Sequence, residues 1–273
     1  MIKRIIRRIM NKYHTDSFKQ IFKPIIKGDL LIDVPQFKGT FIMDVRSHIT
    51  KRILRDKYYE PNLVACSIQY INPNTDVIDV GANIGLYTIL YSKLISENNK
   101  VLSIEPVPEA LIYFKKNLEN NKCNNNVILY EGAATIGEGV ININTIPGNI
   151  EYSSIGSIVH NAVKKMDSIS IKVNSNSIDN LVLINSLNPG FIKIDAEGAE
   201  YSILAGCQNT LEKYKPVILF ELDDKLLEEH GANSTSVLKI LEKFGYKLIN
   251  VNKPNNNIKY PFTGEVLAIN NIR

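Results

Sequence analysis

Residues 76–90 read "DVIDVGANIGLYTIL". A short apolar run carries an acid, Asp79, and then turns through Gly81, Asn83 and Gly85 into a helix-like segment. A strand handed to a helix through glycines is half of a βαβ unit. The free N–H groups that open such a helix face whatever ligand sits against the turn, at the carboxyl edge of the sheet. The glycines are expected to tighten that turn and let a ligand approach without a Cβ in the way. A dinucleotide fingerprint wants glycines at positions one, three and six, whereas here they fall at one and five. Asp79 would add nothing to a pyrophosphate site; it suits a cation, such as the amino group of an amino acid.

Downstream the pattern repeats. Strand-like "KVLSIE", "NVILYE", "FIKID" and "PVILFEL" alternate with helix-like "LYTILYSKLI", "PEALIYFKKNLENN", "SIDNLVLINSL" and "AEYSILAGCQNTLEKY". Apolar strands of about five residues between helices predict a parallel α/β sheet covered on both faces. A late helix, "TSVLKILEKFG", precedes two closing strands, "YKLINVN" and "EVLAIN". Glu105 ends the second strand, where a carboxylate can accept both hydroxyls of a ribose. A ligand with a ribose, an ammonium group and no phosphate is S-adenosylmethionine.

Upstream, "DLLIDVPQFKGTFIMDV" and "HITKRIL" read as a preamble with β character, and "YYEPNLVACSIQYI" as a helix with Pro61 in its first turn. Glu60, with Tyr59, is placed near the amino-acid end of the ligand. Between the third and fourth strands, at about 135–175, an Ile-, Ser- and Asn-rich stretch alternates like an inserted β hairpin or small sheet.

The opening segment, residues 1–13, sets Ile2, Ile5, Ile6, Ile9, Met10 and Tyr13 on one helical face and Lys3, Arg4, Arg7, Arg8 and Lys12 on the other. Two readings compete: packing on the domain or on a second subunit as a homodimer, or peripheral contact with an anionic membrane surface. The run is too broken by charge for a signal peptide or a span. The net charge of +4 is too mild to imply nucleic acid, and three scattered cysteines without CxxC spacing suit a reducing cytoplasm. A cytoplasmic or membrane-associated location is expected.

"VIDVGANIGLYTI", "IEPVPEALIYFKKNLENN", "SIDNL" and above all "FIKIDAEGAEYSILAG" resemble the FkbM-type methyltransferases of the class I, Rossmann-like superfamily. The resemblance implies a seven-stranded sheet of order 3-2-1-4-5-7-6 with its last strand antiparallel. The resemblance runs from about Tyr58 to Tyr246, and the chain is expected to divide into an extension at 1–57 and a methyltransferase domain at 58–273. It also implies S-adenosylmethionine as cofactor and a hydroxyl on a sugar or secondary metabolite as acceptor. Asp79, Gly81, Asn83, Gly85, Glu105 and Glu60 are the expected cofactor residues. With them stand Glu131 and Ala133 after the third strand, placed toward the adenine; Glu131 reads equally well as a solvated loop residue.

Asp195 ends the fourth strand and Glu221 the fifth, at the same edge; Glu200 follows in the first turn of the next helix. These carboxylates, with His160 from the insertion, are the candidate catalytic groups. A hydroxyl acceptor must lose a proton, so a base within reach helps. Asp195 and Glu221 could share that role or hold a divalent cation; a metal-free site is the expectation. Two other classes remain: an NAD-dependent oxidoreductase on a similar sheet, disfavoured by the glycine spacing, and a cofactor-binding scaffold without turnover. Within the enzyme reading, N-methylation is the alternative.

Overall fold

The computed structural model describes residues 28–146 and 167–270. The amphipathic segment at 1–13 and His160 lie outside the described residues. The extension begins as a hairpin, β1 (Asp29–Val34) against β2 (Gly39–Asp44), folded around a 3-10 turn at Pro35–Phe37. "HITKRIL" is not part of a β preamble but of helix α1 (His48–Asp56). The Ser47 hydroxyl accepts the Thr50 N–H at 3.0 Å, and Ile49 and Ile53 sit one turn apart on the buried side. A cap and a helical period together outweigh the β preference of isoleucine. Helix α2 (Pro61–Tyr70) follows, with Pro61 in its first turn.

The main sheet is built from β3 (Asp76–Val80), β4 (Val101–Ile104), β5 (Val127–Tyr130), β9 (Pro189–Ile194), β10 (Val217–Leu222), β11 (Tyr246–Asn250) and β12 (Gly264–Asn270). Its seven strands lie in the order β5-β4-β3-β9-β10-β12-β11, which is 3-2-1-4-5-7-6 when they are numbered along the chain. β3, β4, β5, β9 and β10 pair in parallel, and β12 runs antiparallel between β10 and β11. Strand order reverses between β3 and β4 on one side and β9 on the other, so a crevice opens beyond their carboxyl ends.

Alternate residues of each strand feed two cores. Val77, Val101, Phe191 and Leu219 face one way, toward α2, α3 (Leu86–Ser92) and α4 (Pro108–Asn120). Ile78, Leu102, Ile192 and Ile218 face the other, toward α5 (Ile178–Ile184) and the helices after it. The extension shares the first core through Phe37, Phe41, Met43, Ile49 and Ile53. An aromatic column ties it in: Phe37 lies edge-on to Tyr87 at 5.1 Å, Tyr87 lies 5.7 Å from Tyr91, and Tyr91 meets Phe191 at 5.8 Å. Residues 28–57 are thus one body with the sheet.

The stretch "AEYSILAGCQNTLEKY" is two helices rather than one, α6 (Glu200–Ala205) and α7 (Gln208–Tyr214). The break falls at Gly206, where an added Cβ would lie 2.1 Å from the Thr135 carbonyl. The Asp179 carboxylate accepts the Asn209 and Thr210 N–H groups, at 2.9 and 2.8 Å, and so opens the second helix. Helices α8 (Asp224–Glu229) and α9 (Ser234–Lys243) complete that layer. The insertion contributes a three-stranded sheet of β6 (Ala133–Ala134), β7 (Gly139–Thr145) and β8 (Ile169–Asn176), in the order β6-β8-β7. Among the described residues no helix is long and apolar enough to cross a membrane.

Candidate functional site

At the carboxyl ends of β3, β4, β9 and β10 lies a cavity of about 350 Å³, within the range for a small-molecule site. The turn after β3 forms its floor. Asn83, at φ +50°, turns its N–H toward Glu105, whose Oε2 accepts it at 2.7 Å. Glu105 Oε1 accepts the Val107 N–H at 2.8 Å. The carboxylate is 4% exposed and held at both ends. Burial pushes its pKa up to about 7, although the two N–H groups pull the other way. Ala133 and Ala134 line the wall beyond it.

Gly81 lines the cavity and is required by a close backbone approach. Its φ is +76°, and a Cβ would lie 1.8 Å from the Asp195 carbonyl oxygen. The close approach is between the ends of β3 and β9. Gly85, the second glycine, opens α3 and packs on Phe114, away from the cavity wall.

Asp79 likewise departs from the expected placement. Its side chain points with Val77 into the first core, fully buried, and does not line the cavity. One oxygen accepts the Thr88 hydroxyl at 2.6 Å and the other has no partner. Strand parity explains this: successive residues face opposite ways, and on β3 it is Val80 that reaches the cavity. Burial raises the Asp79 pKa, opposed by the charge of Lys193 on the adjacent strand.

Lys193 is the residue that the motif concealed. It is buried in β9, its Nζ donates to Asp195 Oδ2 at 2.9 Å, and the same Nζ sits 4.5 Å from the centre of the Tyr87 ring. Burial works against its charge, but Asp195, Asp79 and Glu60 more than offset that and raise its pKa. The signal was a lysine in the middle of the otherwise apolar "FIKID". Tyr87 donates its hydroxyl to Glu60 Oε2 at 2.9 Å. Glu60 lines the cavity as expected, with its carboxyl pKa raised by burial and then by Asp195.

On the β9–β10 side Asp195 presents a side chain 37% exposed, with one oxygen on Lys193. Glu197, Glu200, Glu221 and Asp223 share that wall. Glu200 is 3% exposed; its Oε1 accepts the Gly198 N–H at a long 3.3 Å and its Oε2 has no partner. Burial, then the neighbouring acids, lifts Glu197 to about 8 and Glu200 to about 7. Glu221 stands exposed at the mouth, opposite Glu265 of β12. Three non-glycine residues of the lining hold a left-handed backbone, Glu60, Asn83 and Glu197. Such conformations cost of order 1–3 kcal/mol each and persist where the surroundings impose them.

The expected residues thus divide. Glu60, Gly81, Asn83, Glu105, Ala133, Asp195, Glu200 and Glu221 come together on one cavity; Asp79 and Gly85 lie behind its wall. Glu131 is exposed, ion-paired with Lys115 at 2.7 Å and off the wall, which matches its solvated reading. Besides Lys193, the sequence reading missed His48 and Arg52, which reach the cavity from α1. Among the described residues no cluster of metal-ligating side chains is present.

The lining fits S-adenosylmethionine on its own chemistry. A wall rich in carboxylates suits a sulfonium and an ammonium. Glu105, positioned by two backbone bonds, retains lone pairs for a diol, and the Asn83 Oδ1 is buried without a partner. The family model of the methyltransferase FkbM domain matches residues 79–248, well over half the chain. No curated protein sequence matches it. Among solved structures it is similar to a precorrin-6y C5,15-methyltransferase from Geobacter metallireducens, at 17% identity over 77% of this chain and 88% of that one, with a TM-score of 0.45. A methyltransferase FkbM from Methylobacillus flagellatus aligns at 15% identity over 81% of this chain and 59% of that one, with a TM-score of 0.46. An O-methyltransferase from Bacillus cereus in complex with SAH aligns at 12% identity, 93% and 96% coverage and a TM-score of 0.42.

Proposed function

The chain belongs to the FkbM methyltransferase family, whose cofactor is S-adenosylmethionine, and from that premise we propose that it methylates a hydroxyl of a sugar, on a glycan or on its lipid- or nucleotide-linked precursor. The observation that carries the reading is Asp195. It follows β9 directly on the cavity wall, with one oxygen fixed by Lys193 and a side chain still open to the acceptor.

S-adenosylmethionine, when bound, supplies an electrophilic methyl group on a sulfonium. Glu105 would accept from the ribose hydroxyls, and Glu60 would face the ammonium. Asp195 takes the proton from the acceptor hydroxyl as that oxygen becomes nucleophilic. Its exposure lets the proton pass on to water. A base so placed contributes roughly 100- to 10,000-fold. Lys193 keeps the carboxylate turned toward the cavity, and the Tyr87 ring keeps Lys193 in place. Glu200 and Glu221 line the space left for the acceptor.

A second reading is favoured by the crowding of Glu197, Glu200 and Glu221, since neighbouring carboxylates would also hold an ammonium; N-methylation of an amine is that reading. The alternation of isoleucines with lysines and arginines in the sequence of residues 1–13 supports an acceptor near a membrane surface. Mass spectrometry of glycans and lipids from the host, with and without the gene, is the test. Loss of one methyl from a sugar oxygen is expected. Loss from an amine instead would select the second reading, and unchanged glycans and lipids would remove the sugar.

A further inference from the structure

We infer that Arg52, stacked on Tyr59 at the cavity wall, is the carboxylate handle of the site and binds the α-carboxylate at the amino-acid end of the cofactor. The inference rests on the cavity being the S-adenosylmethionine site. That ligand ends in a zwitterion, so a wall of carboxylates alone would repel one of its two terminal groups. Two permanently charged cations line the cavity, Lys193 and Arg52, beside the imidazole of His48. Lys193 is committed to Asp195 at 2.9 Å.

Arg52 is not committed. Among the described residues no carboxylate lies within ion-pair distance of it. The acid one turn along α1, Asp56, is engaged by Arg55 through two bonds of 2.7 Å. Arg52 is nevertheless positioned, with its Cζ 4.6 Å from the Tyr59 ring centre. Tyr59 is itself fixed by Gln36, whose Oε1 accepts the Tyr59 N–H at 3.0 Å and whose Nε2 donates to the Tyr59 carbonyl at 2.5 Å. A guanidinium stacked on a ring keeps its edge N–H groups free, in the geometry that takes a carboxylate in two parallel bonds.

Tyr59, which carries Arg52, is followed directly by Glu60, which faces the ammonium in the reading above. A cation and an anion therefore line the same cavity, one for each charge of the amino acid. An anionic group of the acceptor, such as the phosphate of a linked sugar, has the same chemistry and must be separated experimentally.

The experiment is calorimetry on the full chain with S-adenosylhomocysteine and with its decarboxylated analogue, which keeps the amine. The parent should prefer S-adenosylhomocysteine. Arg52→Gln should weaken that ligand by about 10- to 100-fold, the loss of a charge-assisted pair, and leave the analogue unchanged. Arg52→Lys should restore part of the difference. Equal weakening of both ligands, or no weakening of either, overturns the inference. So does an unchanged nucleoside affinity with loss of inorganic pyrophosphate binding to the loaded protein, which would assign Arg52 to an acceptor anion. Failure of the parent to bind either nucleoside would instead condemn the cofactor reading on which it rests, and the inference with it.

Discussion

Glu105 and Glu200 are near twins by burial, 4% and 3% exposed, and both carboxyls are pushed to about 7. Their surroundings are opposite. Glu105, on the cofactor side, has each oxygen on a backbone N–H. Glu200, on the acceptor side, has one long bond and one oxygen without a partner. Burial governs how readily a carboxyl ionises; bonding governs whether it already has a fixed task. The Glu105 carboxylate is fixed before any ligand arrives, whereas the Glu200 carboxylate is left partly unsatisfied.

The sharpest way to test that division is to remove one acid from each half. Asp195→Asn should lower kcat by about 100- to 10,000-fold while S-adenosylhomocysteine affinity stays near parental. Glu105→Ala should do the reverse, weakening the nucleoside by about 10- to 100-fold. Calorimetry beside single-turnover rates reads both. If Asp195→Asn weakened the nucleoside as much as the rate, the halves would not be separate.

Gly81 is the seam between them, because β3 and β9 touch there. Gly81→Ala combines a left-handed φ with a carbonyl 1.8 Å from the new Cβ. A loss of about 2–4 kcal/mol is expected, seen as a fall in Tm of roughly 5–15 °C. An unchanged melting curve would mean that the two strand ends part freely.

The smallest effect concerns protons. A glutamate whose pKa is raised from 4.5 to about 7 on folding favours the fold while protonated, below about 4.5, and that advantage fades as pH rises through about 7. Glu200→Gln keeps a carbonyl oxygen for the Gly198 N–H. It should leave Tm almost unchanged at pH 5 and raise it by about 2–4 °C at pH 8. Glu105→Gln, which replaces one of two committed acceptors with a donor, should lose stability at both pH values. Thermal melts at the two pH values distinguish the pair, and identical behaviour would erase the contrast.

The sheet was legible because its strands are short, apolar runs that pair in only one sensible layer arrangement. The cavity edge was legible too, since Glu105, Asp195 and Glu221 all close strands. What escaped notice depends on side-chain direction and on distant partners. Asp79 and Glu105 look equivalent in a string of letters, yet strand parity sends the first beneath α3. Lys193 stands within the motif, but its pairing with Asp195 depends on which face of β9 it occupies. The helix at "HITKRIL" turns on a single cap, and the break at Gly206 on a carbonyl some seventy residues earlier. Arg52 could not be found from its own neighbourhood, because the cavity it reaches is assembled from strands that come later in the chain.

The position of β12 has a consequence for synthesis. β11 is translated before β12, yet its sheet partner is β12, which also supplies its link to β10. Until β12 is made and inserted, β11 is a strand with no neighbour and β10 shows an open edge. A chain in which β12 has not yet docked therefore exposes a strand edge ready to pair with another chain.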